Sequence, residues 1–341
     1  MFKTLALGFA AAAACLFVAA GSGPAPAPTV ESAAAPAEAQ PARKKLRIGV
    51  TVPAADHGWT AGVGWWARKA MDLYPEVDWV FSTAANPDKQ IADMEDMLVR
   101  GVDAMVVLAT ESAPITPAAM KAKEKGVFIV NVDRGFLPGK DGEPIADIFL
   151  EGDNKAFGRK SAEFMVEKLG GKGNIVILTG IPCTVDTDRV NAAMEVFNAH
   201  PNIKVLAQQP GFWSREKALA AMENMLTKYP RIDAVWASDD DMLLGARQAI
   251  EEAGRARQMW ILGGAGMKEV VKMVMDKDAM VPANITYPPS MIATGIHLCV
   301  STLRDGKKDE VMKFMPRHLL IDVELITPQN AKNYYFADSV Y

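Results

Sequence analysis

The chain has 341 residues, half of them hydrophobic and 23% charged, with a formal net charge of -4. That length and composition provide for two ordinary lobes with their own cores and exclude a disordered or fibrous chain. The mild acidic balance argues against a nucleic-acid partner, which favours a basic face.

The first residues, MFKTLALGFAAAAACLFVAAGSG, place Lys3 ahead of an apolar stretch from Leu5 to Ala20. This is the layout of a secretory signal over 1–20, with small residues before Gly21 for cleavage. Ala12-Ala13-Ala14-Cys15 offers a second reading, a lipid anchor at Cys15, although the leucine usual three residues before such a cysteine is missing. An uncleaved anchor is the third reading; the apolar run is short for a span of about 20 residues. Residues 21–45 are rich in Pro and Ala and cannot build a core, so they read as a leader. With Cys15 gone, Cys183 and Cys299 remain and are expected as free, buried thiols, in different lobes of the fold implied below.

From Leu46 the chain alternates between short apolar runs and amphipathic stretches. The runs 46–52, 77–83, 104–109 and 127–133 read as buried parallel strands. Between them, residues 88–101 place Ile91, Met94, Met97 and Leu98 on one helical face, with Gly101 as the stop. The rhythm breaks over 134–147, which is turn-rich, and IFLEGDN (148–154) follows as an isolated strand. A second series then runs through 174–180, 203–209, 234–239 and 259–265. Strand–helix–strand repetition implies right-handed crossovers and parallel sheets. The units could close one barrel or form two open sheets; the break favours two lobes meeting near Glu151-Gly152.

The strands end in polar residues. The first leads to Asp56, His57 and Trp59, the third to Glu111, and the fourth to Asp133-Arg134. Open parallel sheets bind ligands at the carboxyl ends of their strands. Two sheets facing each other there would make a polar cleft. Carboxylates accept from hydroxyls, guanidinium groups donate to oxygens, and an indole face covers C–H surface. Together they suit a sugar. Trp59 and Trp213 each follow a strand and a turn, in opposite halves, and core packing is the alternative use for both. For Asp133-Arg134 the alternative is an internal salt bridge fixing the strand end. In SDDDM the acids could suggest a cation, but the helical stretch that follows makes one Asp its N-cap.

Enzymatic readings find little support. The chain has no G-x-S-x-G, no G-x-x-x-x-G-K-[ST], and four histidines without H-E-x-x-H or H-x3-H spacing. No cofactor and no metal is expected, and no twelve-residue calcium loop is found.

From Leu46 onward the sequence resembles the periplasmic sugar-binding proteins of the ribose-binding type, substrate receptors of ABC importers. The motifs are NVDRGF, EGDNKAFGRKSAEFM, TDRVNAAMEVF, the long segment from Pro210 to Ala246, ILGGAG and ITYPPSMIATG, in that order. The resemblance implies two doubly wound parallel-sheet lobes joined by three crossings. On that frame, residues 46–151 with 287–317 form the first lobe, and 152–286 with 318–341 the second. It implies ligand contacts from Asp56, Trp59, Asp133, Arg134, Arg189 and Trp213. Asp239 falls where the family often has Asn, and Thr286 at the hinge position that often carries Gln. Ala265 stands where the family usually has Asp, which puts ribose itself in doubt. His57 and Glu111 are further candidates for altered specificity. The implied partners are a sugar or polyol and an inner-membrane ABC permease, with the protein monomeric and periplasmic. Presentation of the ligand to a chemotaxis or signalling receptor is the alternative, as is an autoinducer-like or non-sugar solute. A sugar-responsive repressor of the same fold would need an N-terminal helix-turn-helix, where this chain has its apolar segment and leader.

Overall fold

The computed structural model describes residues 45–341. The expected signal segment 1–20, Cys15 and the leader up to residue 44 lie outside the described residues.

The first series folds as β1 (Arg47–Pro53), α1 (Gly58–Asp72), β2 (Asp78–Ala84), α2 (Pro87–Val99), β3 (Ala104–Val107), α3 (Ser112–Glu124), β4 (Phe128–Val132) and β5 (Ile148–Gly152). The second follows as α4 (Asn154–Lys168), β6 (Gly173–Thr179), α5 (Thr184–Asn198), β7 (Ile203–Pro210), α6 (Arg215–Lys228), β8 (Ala234–Ala237), α7 (Asp240–Glu252), β9 (Trp260–Leu262) and α8 (Lys268–Met275). The chain closes with β10 (Asn284–Ile285), α9 (Met291–Leu303), α10 (Lys308–Val311), β11 (His318–Ile321) and β12 (Leu325–Ile326).

These elements build two open sheets rather than a barrel. The first has the order β11-β5-β4-β3-β1-β2 and the second β7-β6-β8-β9. Every pairing in both sheets is parallel. The central strands β3 and β4 are buried along their whole length. This is why β3 reads as an unbroken apolar run and β4 as one broken only by Asn131: helices cover both sheet faces. The edge strands β2 and β7 are only partly buried and carry polar residues accordingly. Local signals agree with the tertiary arrangement. Asn86 caps α2 by accepting from Lys89 N, Pro87 opens the helix, and Gly101 follows it with φ of 70°.

The chain passes between the two lobes three times: after β5, after β10, and after β11. The last crossing departs from the expected limits. Residues 318–341 were expected with the second lobe, but β11 pairs with β5 in the first sheet, His318 facing Phe149 and Ile321 facing Gly152. A four-residue strand with alternating burial carries too little pattern to declare which sheet edge it will join. β12 then pairs antiparallel with β10.

Cys183 and Cys299 are both buried and free. Burial pushes the Cys183 thiol up to about 11 and the Cys299 thiol higher still, which disfavours the nucleophilic thiolate at both.

One close approach fixes the second lobe. A methyl group on Gly158 of α4 would lie 2.0 Å from the carbonyl oxygen of Arg189 on α5. Backbone cannot yield as a flexible side chain can. Gly158→Ala is therefore expected to destabilise the fold by about 1–3 kcal/mol, the range for overpacked sites, and to displace Arg189. A urea midpoint unchanged from the parent would contradict this.

Candidate functional site

The carboxyl ends of the strands from both sheets converge on one cavity. It is lined by His57, Trp59, Asp133, Arg134, Val185, Arg189, Trp213, Asp239, Ala265 and Tyr287.

From the first lobe, the β1–α1 turn brings His57 and Trp59. Trp59 is 5% exposed, and its indole Nε1 donates to the carbonyl of Tyr287 at 3.0 Å. His57 Nδ1 lies 2.6 Å from Asp56 Oδ1, and the Thr60 hydroxyl donates to the same oxygen at 2.9 Å. Partial burial works against ionisation of Asp56, but the hydrogen bond and charge of His57, with Thr60, outweigh it and hold the carboxyl at about 2.

Asp133 and Arg134 follow β4 and are each 2% exposed. Asp133 takes a left-handed φ of 65°, a conformation that Asp tolerates better than most residues. It turns one carboxylate oxygen to the Tyr287 hydroxyl, which donates to Oδ1 at 2.6 Å. The other, Oδ2, lies 3.6 Å from Arg134 Nε. Arg134 Nη1 donates to the carbonyls of Ala109 (3.1 Å) and Thr110 (2.8 Å), and the guanidinium lies over the Trp213 ring, 4.9 Å from its centroid. Burial raises the Asp133 carboxyl above its ordinary range, against the opposing pull of Arg134 and Tyr287. The pair is thus a loose internal ion pair, and it also lines the cavity. Two buried donors on the lining residues, Arg134 Nε and Trp213 Nε1, have no hydrogen-bond acceptor among the described residues. Hydroxyl oxygens would suit them.

From the second lobe, Arg189 on α5 donates from Nε to Asn154 Oδ1 (3.0 Å) and from Nη1 to the Ser238 carbonyl (2.7 Å). Its guanidinium lies 3.9 Å from the Phe157 ring centroid and 4.2 Å from that of Tyr287. Asp239 is the N-cap of α7, accepting from Met242 N at 2.8 Å, and it lines the cavity as well. The capping and ligand readings of the SDDD stretch therefore meet in one residue. Burial first, then the charge of Asp241, pushes the Asp239 carboxyl well above its ordinary range, against the Met242 hydrogen bond. Burial also lifts Asp240, to about 7, although Met267 N and Asn284 donate to it. Phe212 and Trp213 both take positive φ, as does Ala265 at 118°, a strained value for a residue with a Cβ.

Trp59, Asp133, Arg134, Arg189, Trp213, Asp239 and Ala265 are thus brought together, with His57 added to them. Asp56 and Glu111 are not. They line a wider groove outside, of which His57, Arg134 and Trp213 form the shared wall. The Asp56 side chain is 72% exposed and spent on His57 and Thr60. Thr286 is a further correction. Its hydroxyl accepts from Glu324 N at 2.8 Å, and it lines a neighbouring groove instead. Successive residues of an extended segment point to opposite sides, so the next residue, Tyr287, is the one that lines the cavity.

Tyr287 is the main residue that sequence reasoning missed, and Asn154 is the second. Asn154 Nδ2 donates to the Tyr287 hydroxyl (3.1 Å) and to Glu151 Oε2 (3.3 Å), and His318 Nε2 lies 2.9 Å from Glu151 Oε1. A polar chain therefore runs from His318 through Glu151, Asn154 and Tyr287 to Asp133. Both residues stand inside motifs quoted above, EGDNKAF and ITYPP; what was lacking was the direction of each side chain.

The cleft is held closed by hydrogen bonds from one lobe to the other. Gly58 N donates to Asp241 Oδ2 (2.9 Å), Gly135 N to Thr184 Oγ1 (2.9 Å), and Thr184 N to Ser112 Oγ (3.2 Å).

Comparison with known proteins agrees with this architecture. Residues 48–308 match the periplasmic binding protein domain family. The chain is 33% identical over 239 residues to the xylitol-binding protein of Mycolicibacterium smegmatis, covering 68% of this chain and 65% of that protein. It is 30% identical over 268 residues to the D-allose-binding periplasmic protein of Escherichia coli, covering 76% of this chain and 84% of that one. Among solved structures, the fructose-binding periplasmic domain of a hybrid two-component system superposes with a TM-score of 0.74 at 28% identity, over 85% of this chain and 93% of that domain. With its two parallel sheets, three crossings and shared cavity, the chain belongs to the periplasmic binding protein family, in its ribose-binding type.

Proposed function

We propose that this protein is a periplasmic solute receptor that closes its lobes around one sugar or polyol and presents the closed form to an ABC importer. The observation that carries the reading is the cavity lining: two carboxyl groups, two guanidinium groups and two indoles, drawn from both lobes. Equal numbers of acidic and basic groups suit a neutral ligand. Hydroxyls meet both donors and acceptors there, and the indoles shield the C–H surface. The absence of a carboxylate at Ala265 argues for a solute other than ribose, and the names of the xylitol- and D-allose-binding relatives point to the same wider class of polyols and monosaccharides. In this reading the apolar segment 1–20 exports the protein, which works as a monomer without a cofactor. The likeness to the periplasmic domain of a two-component system supports ligand presentation to a signalling receptor as a second use of the same closure.

A thermal-shift screen of the chain from Leu46 tests the proposal, with pentoses, hexoses, polyols, deoxy sugars and amino sugars as probes. A solute that binds only the folded state raises the melting temperature by mass action. One clear hit that Arg134→Ala erases is the expected result. A flat response across the panel would sink the sugar or polyol assignment.

A further inference from the structure

The segment after Tyr334 runs along the second lobe and is tied to it. Lys268 Nζ, at the start of α8, donates to the carbonyls of Ala337 (3.1 Å) and Ser339 (2.6 Å), and Tyr341 N donates to Ser339 Oγ (3.2 Å). The side chain of Tyr341 then lies between the lobes, its hydroxyl near the charges of Asp239, Asp240 and Asp241 on the second. It is 6% exposed and lies against α1 of the first lobe. A methyl built on Gly58 would sit 3.1 Å from the Tyr341 ring, and one built on Gly62 would sit 3.2 Å from its Cβ and 2.9 Å from Pro289 Cγ. Gly58 and Gly62 are four apart, so they share one face of α1. A glycine inside a helix costs about 1 kcal/mol relative to alanine. Gly62 bears that cost at the place where Tyr341 Cβ and Pro289 need the space. The tyrosine hydroxyl is buried without a hydrogen-bond partner among the described residues. The contact is therefore a matter of ring packing rather than of a specific polar bond.

Resting on the reading of a hinged receptor, we propose that Tyr341 is a latch: a positioning residue, carried by the second lobe and seated in the glycine trough of α1, that favours the closed arrangement. It is not among the residues that line the cavity. Its effect reaches the solute only through closure, since the trough is available to the ring only when the lobes are together. Gly58 also donates to Asp241 across the lobes, so the seat and a closing hydrogen bond share one helix turn.

The test reads closure on other elements. Ser112 Oγ and Thr184 N, on opposite lobes at the starts of α3 and α5, are 3.2 Å apart in the closed form. Cysteines at these two positions, in a Cys183→Ser background and with no solute added, are exposed to a thiol oxidant. The rate of cross-linking follows the population of the closed form even where that population is small. Tyr341→Ala is expected to slow cross-linking several-fold, and Tyr341→Phe to match the parent. Lys268→Ala, which frees the strap but leaves the ring intact, should also slow it; this variant serves if Tyr341→Ala fails to fold. An unchanged rate in Tyr341→Ala, or in Lys268→Ala where that variant has to serve, overturns the latch alone, as does equal slowing in Tyr341→Phe. A cross-link that never forms in the parent overturns hinged closure and the latch together.

Discussion

Arg189→Met is expected to weaken solute binding by a factor of about 30 or more while leaving a folded protein. Arg189 is 3% exposed and performs three tasks at once. It anchors Asn154 and the Ser238 carbonyl, packs against Phe157 and Tyr287, and brings positive charge to Asp133 and Asp239. Methionine keeps much of the packing and removes the charge and the donors. Removing a buried, hydrogen-bonded charge costs about 2–5 kcal/mol, so affinity should fall by a factor of about 30 or more. Stability should fall as well, because the two carboxyl groups lose a compensating charge. Arg189→Lys should not rescue binding: an ammonium cannot reproduce the planar fork that reaches Asn154 and Ser238 together. Titration calorimetry with the solute found in the thermal screen is the measurement. Affinities equal to the parent's in both Arg189→Met and Arg134→Ala would remove the cavity from consideration as the binding site.

The second large effect is on stability against pH. Glu151 ends β5 at the first crossing, 8% exposed, between His318 and Asn154. Burial, reinforced by the charge of Asp133, pushes its carboxyl up from about 4.5 to about 8, against the hydrogen bond from Asn154. The folded value lies above the unfolded one, so between these limits the folded state holds a proton that the unfolded state has released. The associated stability is complete below about pH 4.5 and is lost as pH rises through about 8. Glu151→Gln has no proton to lose. It should match the parent near pH 5 and exceed it at pH 9 by about 2–4 kcal/mol, after allowing for relaxation of the site. Asp240 and Asp186 are also raised by burial and slope the same way in both proteins, so the difference reports on Glu151 together with its partners Asp133 and His318. Urea midpoints of the two proteins at pH 5, 7 and 9 provide the test, and parallel curves would refute the assignment. Because Glu151 connects through Asn154 and Tyr287 to Asp133, the parent's affinity should also vary over this range more than the variant's.

Much of this protein was legible in its residues. Largely apolar runs at β1, β3 and β4 announce strands covered on both faces, and the spacing of Met94 and Met97 announces a helix packed on them. A charged pair after an apolar strand, as at Asp133-Arg134, announces a sheet end facing something polar. These are local facts of period and composition, and folding cannot change them. The tertiary structure decided what depends on direction and on distant neighbours. It chose Tyr287 over Thr286, because adjacent residues of an extended segment face opposite ways. It moved Asp56 to the rim, because His57 and Thr60 claim its carboxylate. It sent β11 to the first sheet, where it pairs in parallel with β5. It also brought Tyr341 to Gly58 and Gly62, a meeting across nearly the whole length of the described chain that no local pattern encodes. Residue type and spacing set which groups the cleft could use; the path of the chain through three crossings set which of them face one another.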